Sequence, residues 1–134
     1  MSAQTLINTL ADTARAAGRT LSTATGAERK AALQTIAAAI EARSVEILAA
    51  NAKDMEAGHA AGLNSSLLDR LLLTPERIQG IAGGARQVSE LPDPLGNTLR
   101  KSTLPNGIKL EQISVPFGVI GMVYEARPNV TVDA

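Results

Sequence analysis

The chain has 134 residues, enough for one domain whose core buries roughly two-thirds of its unfolded surface. Its 13 Lys and Arg balance 13 Asp and Glu, so no nucleic-acid footprint or polybasic membrane patch is indicated. The absence of cysteine excludes disulfides and thiolate metal sites.

Apolar residues make up 45%, yet only Phe117 and Tyr124 are aromatic. Alanine supplies much of the apolar count, which favours closely packed helices over a thick aromatic core. Met1-Ser2-Ala3-Gln4 lacks the basic segment and apolar run of a signal peptide. No apolar stretch approaches membrane-spanning length. A cytoplasmic protein is the expectation.

Leu6, Ile7, Leu10, Ala11, Ala14 and Ala17 follow helical spacing, with Gly18 as the expected stop. Thr25-Gly26-Ala27-Glu28 fits a capping box, and the helix after it places Leu33, Ile36, Ala37 and Ile40 on one face. Ser44 is expected to cap a further helix carrying Ile47, Leu48 and Met55, with Gly58 and Gly62 bracketing a frayed end. Ser65 or Ser66 opens a helical piece through Leu72. Thr74-Pro75-Glu76 is a start signal of cap, first-turn proline and acid, followed by Ile78, Ile81, Ala82, Ala85 and Val88 on one face. Gly80, Gly83 and Gly84 in that helix either admit a close neighbour or leave it mobile. Pro92, Pro94 and Gly96 end the helical part. Residues 99–104 and 108–115 flank Pro105-Asn106-Gly107, and Asn-Gly predicts a hairpin with a type I′ turn.

The stretch 115–134 is where chemistry is expected. Val119-Ile120-Gly121-Met122-Val123 is bulky and uncharged, the pattern of a strand buried on both faces in a parallel sheet. The polar loop Tyr124-Glu125-Ala126-Arg127-Pro128-Asn129 follows, and Val130 begins a helix. In open α/β sheets ligands sit at that junction. Such a strand needs parallel neighbours, each reached by a crossover. The expectation is therefore an N-terminal fragment of a larger α/β protein, poorly soluble alone because 119–123 would be an unprotected edge.

Asn129 offers two donors and no charge, suited to an oxyanion; it equally suits a helix cap or Asx-turn. Arg127 can meet an anion through its planar fork of donors, or pair with Glu125 or Asp133. His59, the only histidine, sits at a helix end where positive charge is favourable, and without a second His or Cys no metal site is expected. Gly83-Gly84 is no phosphate loop, and no G-x-G-x-x-G follows 119–123.

Residues 116–131, P-F-G-V-I-G-M-V-Y-E-A-R-P-N-V-T, resemble the γ-glutamyl phosphate reductase family (glutamate-5-semialdehyde dehydrogenases) within the aldehyde dehydrogenase superfamily. Residues 49–54, 67–71 and 91–96 resemble the same family in the same order. The resemblance implies an α/β, aldehyde dehydrogenase-like fold: N-terminal helices (1–97), a β-hairpin that serves as an oligomerisation arm (98–115), and the first strand of an incomplete Rossmann-like parallel sheet (116–134). It implies NADPH-dependent reduction of L-glutamyl 5-phosphate to L-glutamate 5-semialdehyde and phosphate, in proline biosynthesis. Asn129 would stabilise the oxyanion, and Tyr124, Glu125, Ala126, Arg127 and Pro128 would form a wall for NADP(H). The family's nucleophile is a cysteine, which this chain lacks, so the chain alone is expected to be inactive. The competing readings are another aldehyde dehydrogenase-like oxidoreductase and a helical interaction module.

Overall fold

Local signals written in the first 90 residues set the helices, and the computed structural model, which describes residues 2–125 and 127–133, gives their order. They are α1 (Ala3–Ser22), α2 (Gly26–Ala42), α3 (Ser44–Ala60), α4 (Ser65–Leu71) and α5 (Pro75–Ser89), then strands β1 (Thr98–Thr103) and β2 (Lys109–Ile113), and a final turn α6 (Val130–Asp133).

Each helix start has a physical cause. The Ser2 hydroxyl accepts from the Thr5 amide at 3.1 Å. Thr25 and Glu28 form the expected capping box: the Glu28 amide donates to Thr25 Oγ1 at 3.2 Å and the Thr25 amide to Glu28 Oε2 at 2.6 Å. Thr74 accepts from the Arg77 amide at 3.2 Å, with Pro75 in the first turn. Two caps differ from expectation. Ser44 is the first helical residue of α3 and not its cap, and α4 is capped by the Asn64 side-chain Oδ1, which accepts from the Leu67 amide at 3.0 Å.

Helix ends are corrected as well. α1 runs through Gly18, which keeps a negative φ. A lone glycine costs a helix only about 1 kcal/mol, too little to stop it. The Ser22 and Thr23 hydroxyls end it instead, donating to the Arg19 and Thr20 carbonyls at 2.8 and 3.0 Å. Gly58 lies buried within α3 and does not fray. A Cβ there would meet Leu63, Leu68 and Leu71 side chains at 3.1–3.3 Å, so its missing side chain lets α4 close on α3. Gly62, at φ +72°, then closes α3: its amide reaches the His59 carbonyl at 3.0 Å and the Leu63 amide reaches Gly58 at 3.1 Å.

The chain forms two compact units, Met1–Arg29 with Pro92–Gly121, and Lys30–Leu91 with Met122–Ala134. Both are assembled from segments distant in sequence. In the second unit, Ala37, Ala82 and Ala85 form the core, with Ile40 and Val132 packed against it and Ile78 also buried. α5 buries Ile78, Ala82, Ala85 and Ser89, whereas Val88, expected on that face, is exposed. At about 100° per residue Val88 falls roughly a quarter turn from the centre of the stripe. Around Gly80, Gly83 and Gly84 a Cβ would meet nothing within 4 Å among the described residues, so no described element uses them for close approach. The Arg86 guanidinium grips the Glu41 carboxylate with two bonds, one of 2.6 Å to Oε1, tying α5 to α2. That grip holds the Glu41 carboxyl below its ordinary range.

In the first unit β1 and β2 pair antiparallel, with Lys101 opposite Glu111 at 2.7 Å and an irregularity between Thr98 and Arg100. The turn is not type I′. The Gly107 amide donates to the Leu104 carbonyl at 2.9 Å and the Leu104 amide to Ile108 at 2.8 Å, so Pro105 and Asn106 are the central residues and Gly107, at φ +87°, follows them. Proline fixes φ near −65°, which places it at the first central position and leaves the positive φ to the residue after the turn.

The buried strand expected over 119–123 is not present. Those residues have no regular secondary structure and no pairing partner among the described residues, and Ile120 and Val123 are 68% and 102% exposed. Apolar composition makes a strand burial-ready, but only a neighbour's amides and carbonyls make it a strand. The sole sheet among the described residues is the β1–β2 pair. No described helix is long and apolar enough to cross a membrane.

Candidate functional site

The loop after 119–123 lies in the second unit and borders two clefts, one against α2, α3 and α5 and the other against α4 and α5. α6 packs on α5, and Val132 reaches the alanine core. The loop before α6 is closed by backbone bonds: the Val130 amide donates to the Arg127 carbonyl at 3.1 Å, and the Val132 and Asp133 amides to the Asn129 carbonyl at 2.9 and 3.0 Å. The Tyr124 and Thr131 hydroxyls are hydrogen-bonded to each other, tying the start of the loop to α6.

Buried Asn51 fixes the opposite wall. Its Nδ2 donates to the Leu71 carbonyl and its Oδ1 accepts from the Leu73 amide, both at 2.8 Å. A buried amide with both ends engaged costs little and locks the turn between α4 and α5. Arg77 reinforces it, donating to the Asp69 carboxylate at 2.7 Å, to the Leu72 carbonyl at 2.8 Å and to the Asp69 carbonyl.

The first cleft, about 360 Å³, is mostly apolar, with Ile40, Ile47, Leu73 and Ile78 facing Pro128 and Val132. The second, about 420 Å³, is polar and lined by Asp69, Arg70, Arg77, Arg127, Asn129 and Asp133 over Leu72, Gly80 and Ile81. The six sequence-selected site residues are thus divided. Arg127 and Asn129 share the polar cleft, Pro128 faces the apolar one, Tyr124 is tied to Thr131, and Glu125 is exposed and lines neither. Ala126 lies outside the described residues.

Asn129 occupies the position before α6, yet its side chain does not cap the helix. Its Nδ2 donates to Asp133 Oδ2 at 2.6 Å. A carboxylate only accepts, so the amide must turn a donor towards it, which leaves the second N–H for another acceptor. Asp133 is therefore the partner of Asn129 and does not pair with Arg127; the two are four residues apart, a spacing at which helical neighbours meet. Sequence reasoning missed Arg70, Arg77 and Asp69 as parts of this site. Asp69 and Arg70 stand in leucine-rich α4 and Arg77 in the first turns of α5, where charges read as a solvated face, and only the packing of α6 against α5 brings them to Asn129.

No protein-family model matches the chain. Individual sequences do. It is 53% identical over 124 residues to the γ-glutamyl phosphate reductase of Geobacillus thermodenitrificans, a match covering 92% of this chain and 30% of the relative. It is 61% identical over 107 residues to that of Anoxybacillus flavithermus, covering 80% of this chain and 26% of the relative. Among solved structures, the γ-glutamyl phosphate reductase of Thermotoga maritima superposes with a TM-score of 0.85 at 38% identity, over 91% of this chain and 30% of that one. These relatives are reductases, a class of oxidoreductase enzyme. Within that class the chain belongs to the γ-glutamyl phosphate reductase family, and it spans 26–30% of the length of the curated relatives it matches.

Proposed function

We propose that this chain supplies the oxyanion donor and part of the cofactor wall of a γ-glutamyl phosphate reductase. The complete enzyme would reduce L-glutamyl 5-phosphate with NADPH to L-glutamate 5-semialdehyde and phosphate, as a step of proline biosynthesis in the cytoplasm. The observation that carries this reading is Asn129: within a chain 53% identical to a named reductase, it sits in a polar cleft lined by three arginines with one amide N–H uncommitted to Asp133.

Reduction of an acyl phosphate passes through tetrahedral intermediates whose oxygen carries a full negative charge. A neutral, preoriented donor stabilises that charge without neutralising a thiolate nucleophile nearby. Asp133 holds the Asn129 amide in one orientation before substrate arrives, which lowers the reorganisation the reaction would demand. The sequence contains no cysteine, so in this reading the nucleophile comes from residues beyond these 134.

The residues present suit a nicotinamide dinucleotide. Tyr124 and Glu125 are exposed residues outside any helix or strand, and Arg127 adds a guanidinium for a phosphate ester. With Pro128 and Ala126 they would hold the cofactor, which when bound supplies the hydride. The hairpin is read as the arm through which the complete protein forms a homo-oligomer.

The test is a graft. Replacing the matching segment of the Geobacillus reductase with this chain is expected to keep NADPH-dependent turnover of glutamyl phosphate. Asn129→Ala in the graft is expected to lower kcat by about 10²–10³. A folded graft without turnover, or an Asn129→Ala graft with full activity, overturns the assignment.

A further inference from the structure

The polar cleft carries more charge than an oxyanion donor needs. Three arginines line it, from three different places: Arg70 at the end of α4, Arg77 in the first turns of α5, and Arg127 in the loop before α6. Arg77 is committed, through its bonds to Asp69 and to the α4–α5 turn. Arg70 and Arg127 form no ion pair with any described residue, although seven other such pairs are present among the described residues. Two guanidiniums facing one cleft repel each other unless an anion lies between them. The remaining carboxylates do not supply it: Asp69 is held by Arg77, and Asp133 takes its hydrogen bond from Asn129.

We infer that Arg70 and Arg127 form a subsite for a phosphate dianion beside Asn129. Each guanidinium presents a planar fork of donors matched to phosphate oxygens, and the cleft's volume of about 420 Å³ accommodates a phosphate and the group that bears it. This rests on the reading of the cleft as the reacting end of a reductase, and names which part of the ligand it holds. Two sources share the chemistry: the phosphate of an acyl phosphate substrate, and the 2′-phosphate of the dinucleotide. Asp133 opposes the anion, so its charge weakens the subsite while its hydrogen bond orients Asn129.

The test uses the complete graft protein described above, selectively ¹⁵N-labelled at arginine and asparagine, and inorganic phosphate. Phosphate is expected to shift the Arg70 and Arg127 Nε–H and Asn129 Nδ2 signals saturably, while chloride at the same ionic strength does not. Arg70→Gln and Arg127→Gln are each expected to weaken binding by about fivefold, the upper end for a partly exposed charge pair. Asp133→Asn, which keeps an acceptor for Asn129, is expected to tighten it about threefold by removing a like charge. Arg100→Gln, in the hairpin, serves as the control and is expected to change nothing. Acetyl phosphate binding more tightly than adenosine 2′-monophosphate assigns the subsite to the substrate, and the reverse order assigns it to the dinucleotide. Shifts no larger than chloride produces, or unchanged affinity in either arginine variant with native chemical shifts elsewhere, overturns the subsite. Phosphate binding needs neither nucleophile nor hydride, so an inactive graft can accompany an intact subsite, and an active graft can accompany its loss.

Discussion

The hairpin and the segment 119–123 make an instructive pair. β1 and β2 are polar, carry three lysines or arginines, and are exposed along their whole length, yet they pair. Residues 119–123 are more apolar and more β-prone, yet no strand forms. The difference is the location of the partner. Pro105, Asn106 and Gly107 bring β2 back against β1 within three residues, so the loop-closure cost is small. A parallel neighbour for 119–123 requires a crossover of a dozen or more residues, and none of the described residues provides one. Strand propensity is permission, and pairing is the event.

The largest test of that contrast compares equal deletions. Ile78→Ala, at a side chain only 1% exposed, is expected to cost about 3 kcal/mol in urea unfolding. Ile120→Ala, at 68% exposure, is expected to stay within about 0.5 kcal/mol of the parent. Equal costs would show that 119–123 is buried in solution and that the contrast is wrong.

Two glycines sharpen it next. Gly58→Ala would push a Cβ to 3.1–3.3 Å from three leucine side chains and is expected to destabilise by about 1–2 kcal/mol through overpacking. Gly80→Ala meets nothing within 4 Å and should stabilise by about 0.5–1 kcal/mol by helix propensity. Thermal melts of both variants check the opposed signs.

Gly107→Ala tests the hairpin itself. At φ +87° a Cβ is strained by about 1 kcal/mol, and faster hydrogen exchange at the Leu104 amide is the expected readout. A hairpin that kept its protection would mean the turn does not depend on that glycine.

The smallest effect is on pH. Hydrogen bonding from Arg86 lowers the carboxyl pKa of Glu41 from its ordinary 4.5, and the Leu95 amide, with Arg29 second, lowers that of Asp93 from 3.8. Below those values the unfolded chain binds more protons than the folded one, so this stabilisation is present at neutral pH and fades as pH falls through the folded pKa values. Melts between pH 6 and pH 3 should show a decline that Glu41→Gln blunts. A parent and variant declining in parallel would remove Glu41 from the account.

How legible the molecule was follows the same division. Thr25 and Glu28, Thr74 and Pro75, and the small-residue face at Ala82 and Ala85 were readable because capping and helical periodicity act within a few residues. Asn129 was readable as a neutral donor, and its Nδ2 does donate, to Asp133. The partnership of Asn129 with Asp133 was within reach of helical spacing but competed with a simple charge pairing to Arg127. Arg70 could not be placed, since nothing near it in sequence distinguishes it from a solvated helix charge.

What the amino-acid sequence determined alone is therefore local: the caps at Thr25 and Thr74, the site of the hairpin though not its turn type, and most of the buried face of α5, each decided by groups within a turn or two of one another. Tertiary structure decided which of two glycines admits a neighbour, why 119–123 finds no partner among the described residues, and that the second cleft gathers Arg70 and Arg127, neither paired with a described residue, around one amide. Those outcomes depend on surfaces and hydrogen-bonding partners from distant parts of the chain, and no local rule carries that information.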